Sequence, residues 1–135
     1  MFKGIYTLIW SEDPDELVKF YTDVLELEVN EKVDIPAKDG LEADYGYELV
    51  SGKTPIVWIG KHSGVKGKSK ESLRIMHNLR TDNVQKWFEK VEKAGVKILQ
   101  KPILTPFSSE DNPVYVCTFL DPDGNSWQFM GKLGN

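Results

Sequence analysis

Cysteine and histidine are the scarce residues of this 135-residue chain, which has one of the first and two of the second. A single cysteine excludes an intrachain disulfide and suits a reducing cytoplasm. Cys117 sits inside the apolar run Val114-Tyr115-Val116-Cys117-Thr118-Phe119-Leu120 and reads as a small core residue. As a nucleophile it would need a nearby base, with only His62 and His77 to supply one. Long apolar runs are missing as well. No segment approaches the roughly 20 residues of a membrane span, and the stretch Gly4 to Trp10 runs into Ser11-Glu12-Asp13-Pro14 without a small-residue cleavage site. Membrane insertion and secretion are both disfavoured, and a cytoplasmic location is expected. Nor is there an excess of one charge: 17 basic and 21 acidic residues leave a net −4, spread in both signs, which argues against a nucleic-acid partner. The densest basic stretch, Lys61 to Lys70, is rich in glycine and serine, has no aromatics to stack bases, and reads as a solvated loop.

What the chain does have is a repeat. Leu17, Phe20, Tyr21 and Val24 fall at i, i+3, i+4 and i+7, and Val84, Trp87, Phe88 and Val91 do the same at an offset of 67 residues. Asp13-Pro14-Asp15-Glu16 is a helix start: Asp13 as N-cap, Pro14 where its missing N–H costs nothing, Glu16 to close a capping box. Asp82-Asn83-Val84-Gln85 repeats the signal with Asp82 as cap, and Ala94-Gly95 stops the second helix. Strands are expected at Phe2–Trp10, Leu27–Asp34, Leu41–Val50 and Pro55–Gly60, then at Leu73–Thr81, Val96–Leu104, Val114–Leu120 and Ser126–Met130. The order β-α-β-β-β thus occurs twice: an α+β chain of one domain, with module one at about 1–60, a linker at 61–70 and module two at about 71–135. Residues 105 to 113, with two prolines, read as a flap.

Two stretches, Phe20-Tyr21-Thr22-Asp23-Val24-Leu25-Glu26-Leu27-Glu28-Val29 and Asp121-Pro122-Asp123-Gly124-Asn125-Ser126-Trp127-Gln128, resemble the signatures of the vicinal oxygen chelate superfamily, which includes glyoxalase I, extradiol dioxygenases and bleomycin-resistance proteins. The resemblance covers the whole chain and speaks to fold more than to reaction. It implies paired modules forming a cup-shaped mixed sheet, helices on the convex side and a ligand in the concave side, often with a divalent metal. Where the family usually has glycine after the leucine of the first motif, this chain has Glu26, which a left-handed backbone would strain.

Metal-binding members place histidine on the first strand of each module and glutamate on the last. The resemblance lays those positions on Tyr6, Met76 and Gln128, while the last strand of module one, around Trp58, has no carboxylate. A phenol, a thioether and an amide are not a divalent-metal set, so no metal and no other cofactor is expected. His77 is one residue from a ligand position, hence on the opposite face, and His62 lies in the solvated linker. Alternation puts Leu8 and Trp10 with Tyr6, and Ser126 and Met130 with Gln128. The implied small-molecule site is therefore Tyr6, Trp10, Trp58, Arg74, Met76, Asn78 and Gln128, with Arg74 available to an anionic group. Two functions stay open: a metal-independent binding protein of the bleomycin-resistance kind, for sequestration or sensing of an aromatic or partly polar ligand, and an enzyme of the glyoxalase or dioxygenase kind. Tyr6 is the one evident acid–base group in the cup, and no Glu or Asp is evidently placed to assist it. A homodimer is expected.

Overall fold

A computed structural model describes residues 1–134 of the chain as two compact units, one ending at Gly67 and the other starting at Lys68. In the first, β1 (Leu8–Ser11), α1 (Pro14–Asp23), β2 (Glu28–Ile35), β3 (Asp44–Ser51) and β4 (Thr54–Lys61) build a mixed sheet of order β1-β4-β3-β2. The second follows suit with β5 (Met76–Thr81), α2 (Val84–Lys93), β6 (Ile98–Leu104), β7 (Tyr115–Leu120) and β8 (Ser126–Gly131), in the order β5-β8-β7-β6. In each unit the first and last strands pair in parallel and the others antiparallel. The α+β class and the doubled β-α-β-β-β order read from the sequence are those observed. No helix among the described residues is long and apolar enough to cross a membrane.

The repeat runs at an offset of 70 residues, not 67. Pro14 corresponds to Val84, Leu8 to Asn78 and Trp58 to Gln128. A slip of three is close to one helical turn, so it keeps the apolar stripe in phase and cannot be detected from that stripe alone. The shift also moves the second cap. Asn83, not Asp82, accepts the N–H of Lys86 at 3.0 Å, as Asp13 accepts that of Glu16 at 3.2 Å. Two residues before each cap, Ser11 and Thr81 accept the cap's own N–H at 3.1 and 3.2 Å. The Glu16 carboxylate turns to Lys19, 2.6 Å away, so the reciprocal half of the expected box is not formed.

Each helix covers one face of its sheet. Leu17, Phe20 and Tyr21 of α1 are buried with Ile9, Leu49, Val57 and Ile59; Val84, Phe88 and Val91 of α2 with Cys117, Phe119, Trp127 and Phe129. Burying each large side chain contributes about 1.5–3 kcal/mol before the cost of ordering it. In the first unit a polar clamp reinforces the packing: the hydroxyls of Tyr45 and Tyr47 donate to the two oxygens of Asp15, at 2.6 and 2.5 Å.

Two expected strands begin later than the sequence suggests. Phe2–Trp10 shrinks to Leu8–Ser11, and Leu73–Thr81 to Met76–Thr81. The register explains both. With Leu8 opposite Trp58 and Met76 opposite Ser126, Phe2 would face the β3–β4 turn and Leu73 and Ile75 the Asp121–Asn125 turn, where no ladder partner exists. Phe2 and Ile5 are consequently 99% and 97% exposed, and Leu73 and Ile75 are 63% and 68% exposed rather than packed under a helix. Segment 105–113, expected to be a flap, is closed off by the residue that follows it: Thr105 N–H and Oγ1–H donate to Val114 O at 2.9 and 3.0 Å, and Val114 N–H donates to Ser108 Oγ at 2.5 Å.

Two tests follow from local geometry. Glu26 does sit in the left-handed region, at φ 56°. Glu26→Gly should therefore exceed Glu26→Ala in stability by about 1 kcal/mol in denaturant melts, both variants having lost the same carboxylate; equal melts would refute the strain. The hydrogen bonds from Tyr45 and then Tyr47 hold the Asp15 carboxyl below its ordinary 3.8. A carboxyl depressed in the folded state stabilises it fully above the unfolded value, and that contribution is lost as pH falls through the folded one. Stability measured from pH 6 to 2 should thus fall less steeply in Asp15→Asn than in the parent chain below pH 4, and parallel slopes would count against the clamp.

Candidate functional site

Each sheet has a second, helix-free face, and the expected site residues distribute over these two faces. In the first unit Tyr6, Leu8 and Trp10 share that face with Trp58, because Leu8 stands opposite Trp58 in the parallel pair. The Trp58 indole lies across its own sheet above two glycines. A Cβ at Gly46 or Gly60 would come within 2.1 Å of the ring, so only glycine on β3 and on β4 leaves room for it. Trp10 stands edge-on to Trp58, centroids 4.9 Å apart at 72°, and His62 stands edge-on to Trp10 at 5.1 Å and 79°. Trp58 is buried, Trp10 half-buried. His62, expected to be simply solvated, is exposed yet also caps this stack, and its Nδ1 accepts the N–H of Gly64 at 2.9 Å. The loop is tied back at its far end, where Gly67 N–H donates to Glu12 at 2.9 Å.

Glu48 is the residue the sequence reading missed. It sits on β3 opposite Trp58, and its two oxygens accept the Tyr6 hydroxyl at 2.9 Å and the Asn30 amide at 2.8 Å. Glu31 faces Glu48 directly across the β2–β3 pair. Burial first, and then the Glu48 hydrogen bond, push the Tyr6 hydroxyl up to about 12. A carboxylate does stand beside Tyr6 after all, but it keeps the phenol protonated. The signal that could have found it was strand parity on β3, which puts Glu48 with Gly46.

In the second unit Asn78 stands opposite Gln128, and Gln128 opposite Thr118. Asn78 donates to Gln128 Oε1 at 3.2 Å, and Gln128 Nε2 donates to Thr118 Oγ1 at 3.1 Å, giving a polar chain across three strands. Met76 lies on the same face, exposed, one pair away. Arg74 is elsewhere: it precedes β5 in a turn, and its guanidinium is held by Glu71 at 2.6 Å. His77 faces the helix side, its ring 4.8 Å from that of Trp127, and burial, partly opposed by Asp121, lowers its pKa below the ordinary 6.5. Cys117 is buried under α2, and burial pushes its thiol up to about 11, which suits a packing residue.

The donors at the positions where a metal would be held do not fit one. Tyr6 is a protonated phenol bonded to Glu48, Trp58 offers no ligand atom, Met76 is a thioether, and the Gln128 amide is engaged on both sides. Among the described residues no group of three or more His, Cys, Asp or Glu side chains could hold a metal ion.

Comparison with known proteins agrees with the architecture. The sequence profile of the Glyoxalase/Bleomycin resistance protein/Dioxygenase superfamily matches residues 5–129. Among solved structures, the trypanothione-dependent glyoxalase I of Leishmania major superposes with a TM-score of 0.73 at 18% identity, over 98% of this chain and 88% of that one. A glyoxalase family protein from Enterococcus faecalis gives 0.72 at 18% identity over 96% and 98%. TioX from Micromonospora sp. ML1 gives 0.65 at 17% over 95% and 94%. At these identities the likeness is one of fold. No curated protein sequence gives a significant match.

Proposed function

The chain belongs to the Glyoxalase/Bleomycin resistance protein/Dioxygenase superfamily, and from that premise we propose that it is a metal-independent small-molecule binding protein, taking a flat, partly polar ligand on the helix-free faces of its sheets for sequestration or sensing. The observation that carries the reading is the Trp58 floor over Gly46 and Gly60 with Trp10 edge-on beside it. Aromatic rings next to a few fixed polar groups are the usual make-up of a small-molecule pocket; the first unit's face has Trp10 and Trp58 with Tyr6 and Glu48, and the second unit's face has the Asn78–Gln128 amide pair. Tyr6, Trp10 and Trp58 on the first unit's face and Met76, Asn78 and Gln128 on the second's are the residues assigned to ligand binding, and Arg74 would have to leave Glu71 to take part. The enzyme reading keeps one supporting observation, the Tyr6–Glu48 hydrogen bond. With its pKa pushed up to about 12 the Tyr6 phenol stays protonated at neutral pH and is not available as a base, so it would act by turning its one O–H from Glu48 to a substrate oxygen.

Thermal melts test the metal-independent binding reading. A specific metal site filled at a hundred times its dissociation constant adds about 2.7 kcal/mol to stability. Curves with Zn, Ni, Mn, Fe or chelator should superimpose, whereas indole-sized aromatic probes should raise the midpoint and quench tryptophan fluorescence, and Trp10→Ala should remove both effects. A rise of several degrees with one metal, or aromatic binding indifferent to Trp10→Ala, would overturn the reading.

We further propose that the protein works as a homodimer in the cytoplasm. Support comes from the apolar side chains Phe2, Ile5, Leu73 and Ile75, left exposed beside β1 and β5, each of which is the end strand of its sheet. Sedimentation equilibrium at micromolar concentration should return twice the 15.4 kDa chain mass, and a monomer would end the idea.

A further inference from the structure

The helix-free face of the second unit does not end at Asn78 and Gln128. Beyond them, at the C-terminal ends of β5 and β8, lies a cavity of about 370 Å3 lined among others by Arg80, Asn112, Pro113, Val114, Met130 and Lys132. That volume falls in the small-molecule range, about 300–1,000 Å3. Arg80 and Lys132 bring two positive charges, Asn112 an amide, and Pro113, Val114 and Met130 an apolar wall. Neither cation has a carboxylate within ion-pair distance among the described residues; the acidic lining residue is Asp82.

The backbone around the two cations is firmly placed. A Cβ at Gly131, whose φ is +148°, would lie 1.9 Å from the Thr81 carbonyl oxygen, so the ends of β8 and β5 approach as closely as glycine alone allows. The next carbonyl, that of Lys132, accepts the N–H of Val84 at 2.9 Å and is thereby anchored to the first turn of α2. Asn112 and Pro113, also in the lining, belong to the segment that leads into β7, where Asn112 N–H donates to Ser109 Oγ at 3.1 Å.

The repeat gives this cavity its meaning. At the offset of 70 residues Arg80 corresponds to Trp10 and Lys132 to His62. In the first unit those two positions fill the space with rings packed edge to face. In the second the same two positions carry like charges, which cannot close on each other, and a cavity remains. Two unpaired cations facing one space are stabilised by an anion, and a planar guanidinium fits a carboxylate in a bidentate way.

We propose that this cavity binds the carboxylate of a small organic acid: Arg80 and Lys132 hold the charge, Asn112 donates to an oxygen, and the apolar body lies along Met130, Val114 and Pro113. The inference rests on the helix-free-face reading in that Arg80 and Met130 belong to the face that carries Asn78 and Gln128, and it adds the chemical class of the ligand. Inorganic phosphate would satisfy the charges but leave the apolar wall uncovered.

Amide NMR titration of the full chain with benzoate, methyl benzoate and inorganic phosphate tests it. Benzoate should give saturable shifts at Thr81, Gly131 and Lys132, with methyl benzoate and phosphate each weaker by about tenfold or more. Arg80→Gln and Lys132→Gln should each weaken benzoate by about tenfold, and Asp82→Asn should strengthen it, which a merely structural role for the cations would not produce. Equal binding of the ester, equal binding of phosphate, no saturable binding of benzoate, or benzoate binding unmoved by Arg80→Gln would overturn the inference. Benzoate shifts confined to the surroundings of Trp10 would also overturn it while leaving the wider reading intact. That reading fails by its own measure, the indifference of indole binding to Trp10→Ala.

Discussion

The parallel pairing of the first strand of each unit with its last is the constraint on which the site depends. Parallel neighbours cannot be joined by a tight turn and need a crossover, which here holds a helix and two strands, and the helix covers one face of the sheet. The same pairing decides which side chains meet on the other face. With Leu8 against Trp58, Trp10 reaches the indole; with Asn78 against Gln128, two amides bond; two residues further on, Arg80 comes beside Met130. A register shift by one residue in either pair would send these groups under the helices instead.

The two units spend this common scaffold differently. The first is aromatic and acidic on its helix-free face, the second amide-bearing and, at its far end, cationic. The polar groups near the middle of both faces are already satisfied from within, Tyr6 by Glu48 and Gln128 by Asn78 and Thr118. A ligand there has to exchange one hydrogen bond for another and gains little net energy from them. For a ligand of the proposed kind, affinity would then come from ring surface and from charges that the protein leaves without partners, and the satisfied groups would set orientation.

Legibility from the sequence follows the physics of each signal. The first helix start and the strand order are readable because caps and turns are local, chemically distinctive choices: Asp13 and the Asp121–Asn125 turn behave as their side chains dictate, and Gly95 takes the left-handed φ of 80° that ends α2. The repeat offset was not, since an apolar stripe is blind to a shift of nearly one turn; the Ser11/Asp13 and Thr81/Asn83 pairs would have fixed it. Strand starts were overestimated because alternation describes a segment's preference and says nothing of whether a partner lies opposite, as Phe2, Leu73 and Ile75 illustrate. At the site, parity assigned Tyr6, Trp10, Asn78 and Gln128 to the faces on which they lie. Parity says nothing of Arg74, which no strand carries, and the glutamate that meets Tyr6 lies on β3, a strand to which the family's ligand positions do not point.

The bed of Gly46 and Gly60 beneath Trp58 also bears on what this lineage can become. In the second unit the corresponding neighbours of Gln128 are Val116 and Met130, bulkier residues around a shorter side chain. Floor and occupant are thus matched within each half. A glutamate introduced at position 58 would leave an uncovered hollow over two bare backbone segments, and replacing a buried tryptophan by a smaller side chain costs about 3–5 kcal/mol. Bulkier residues at 46 and 60 cannot arrive first, because they collide with the indole. Each single step away from the present arrangement is therefore uphill, and a carboxylate on this strand is out of reach of one-at-a-time substitution: the packing acts as a latch, holding the position to whatever chemistry a tryptophan can do.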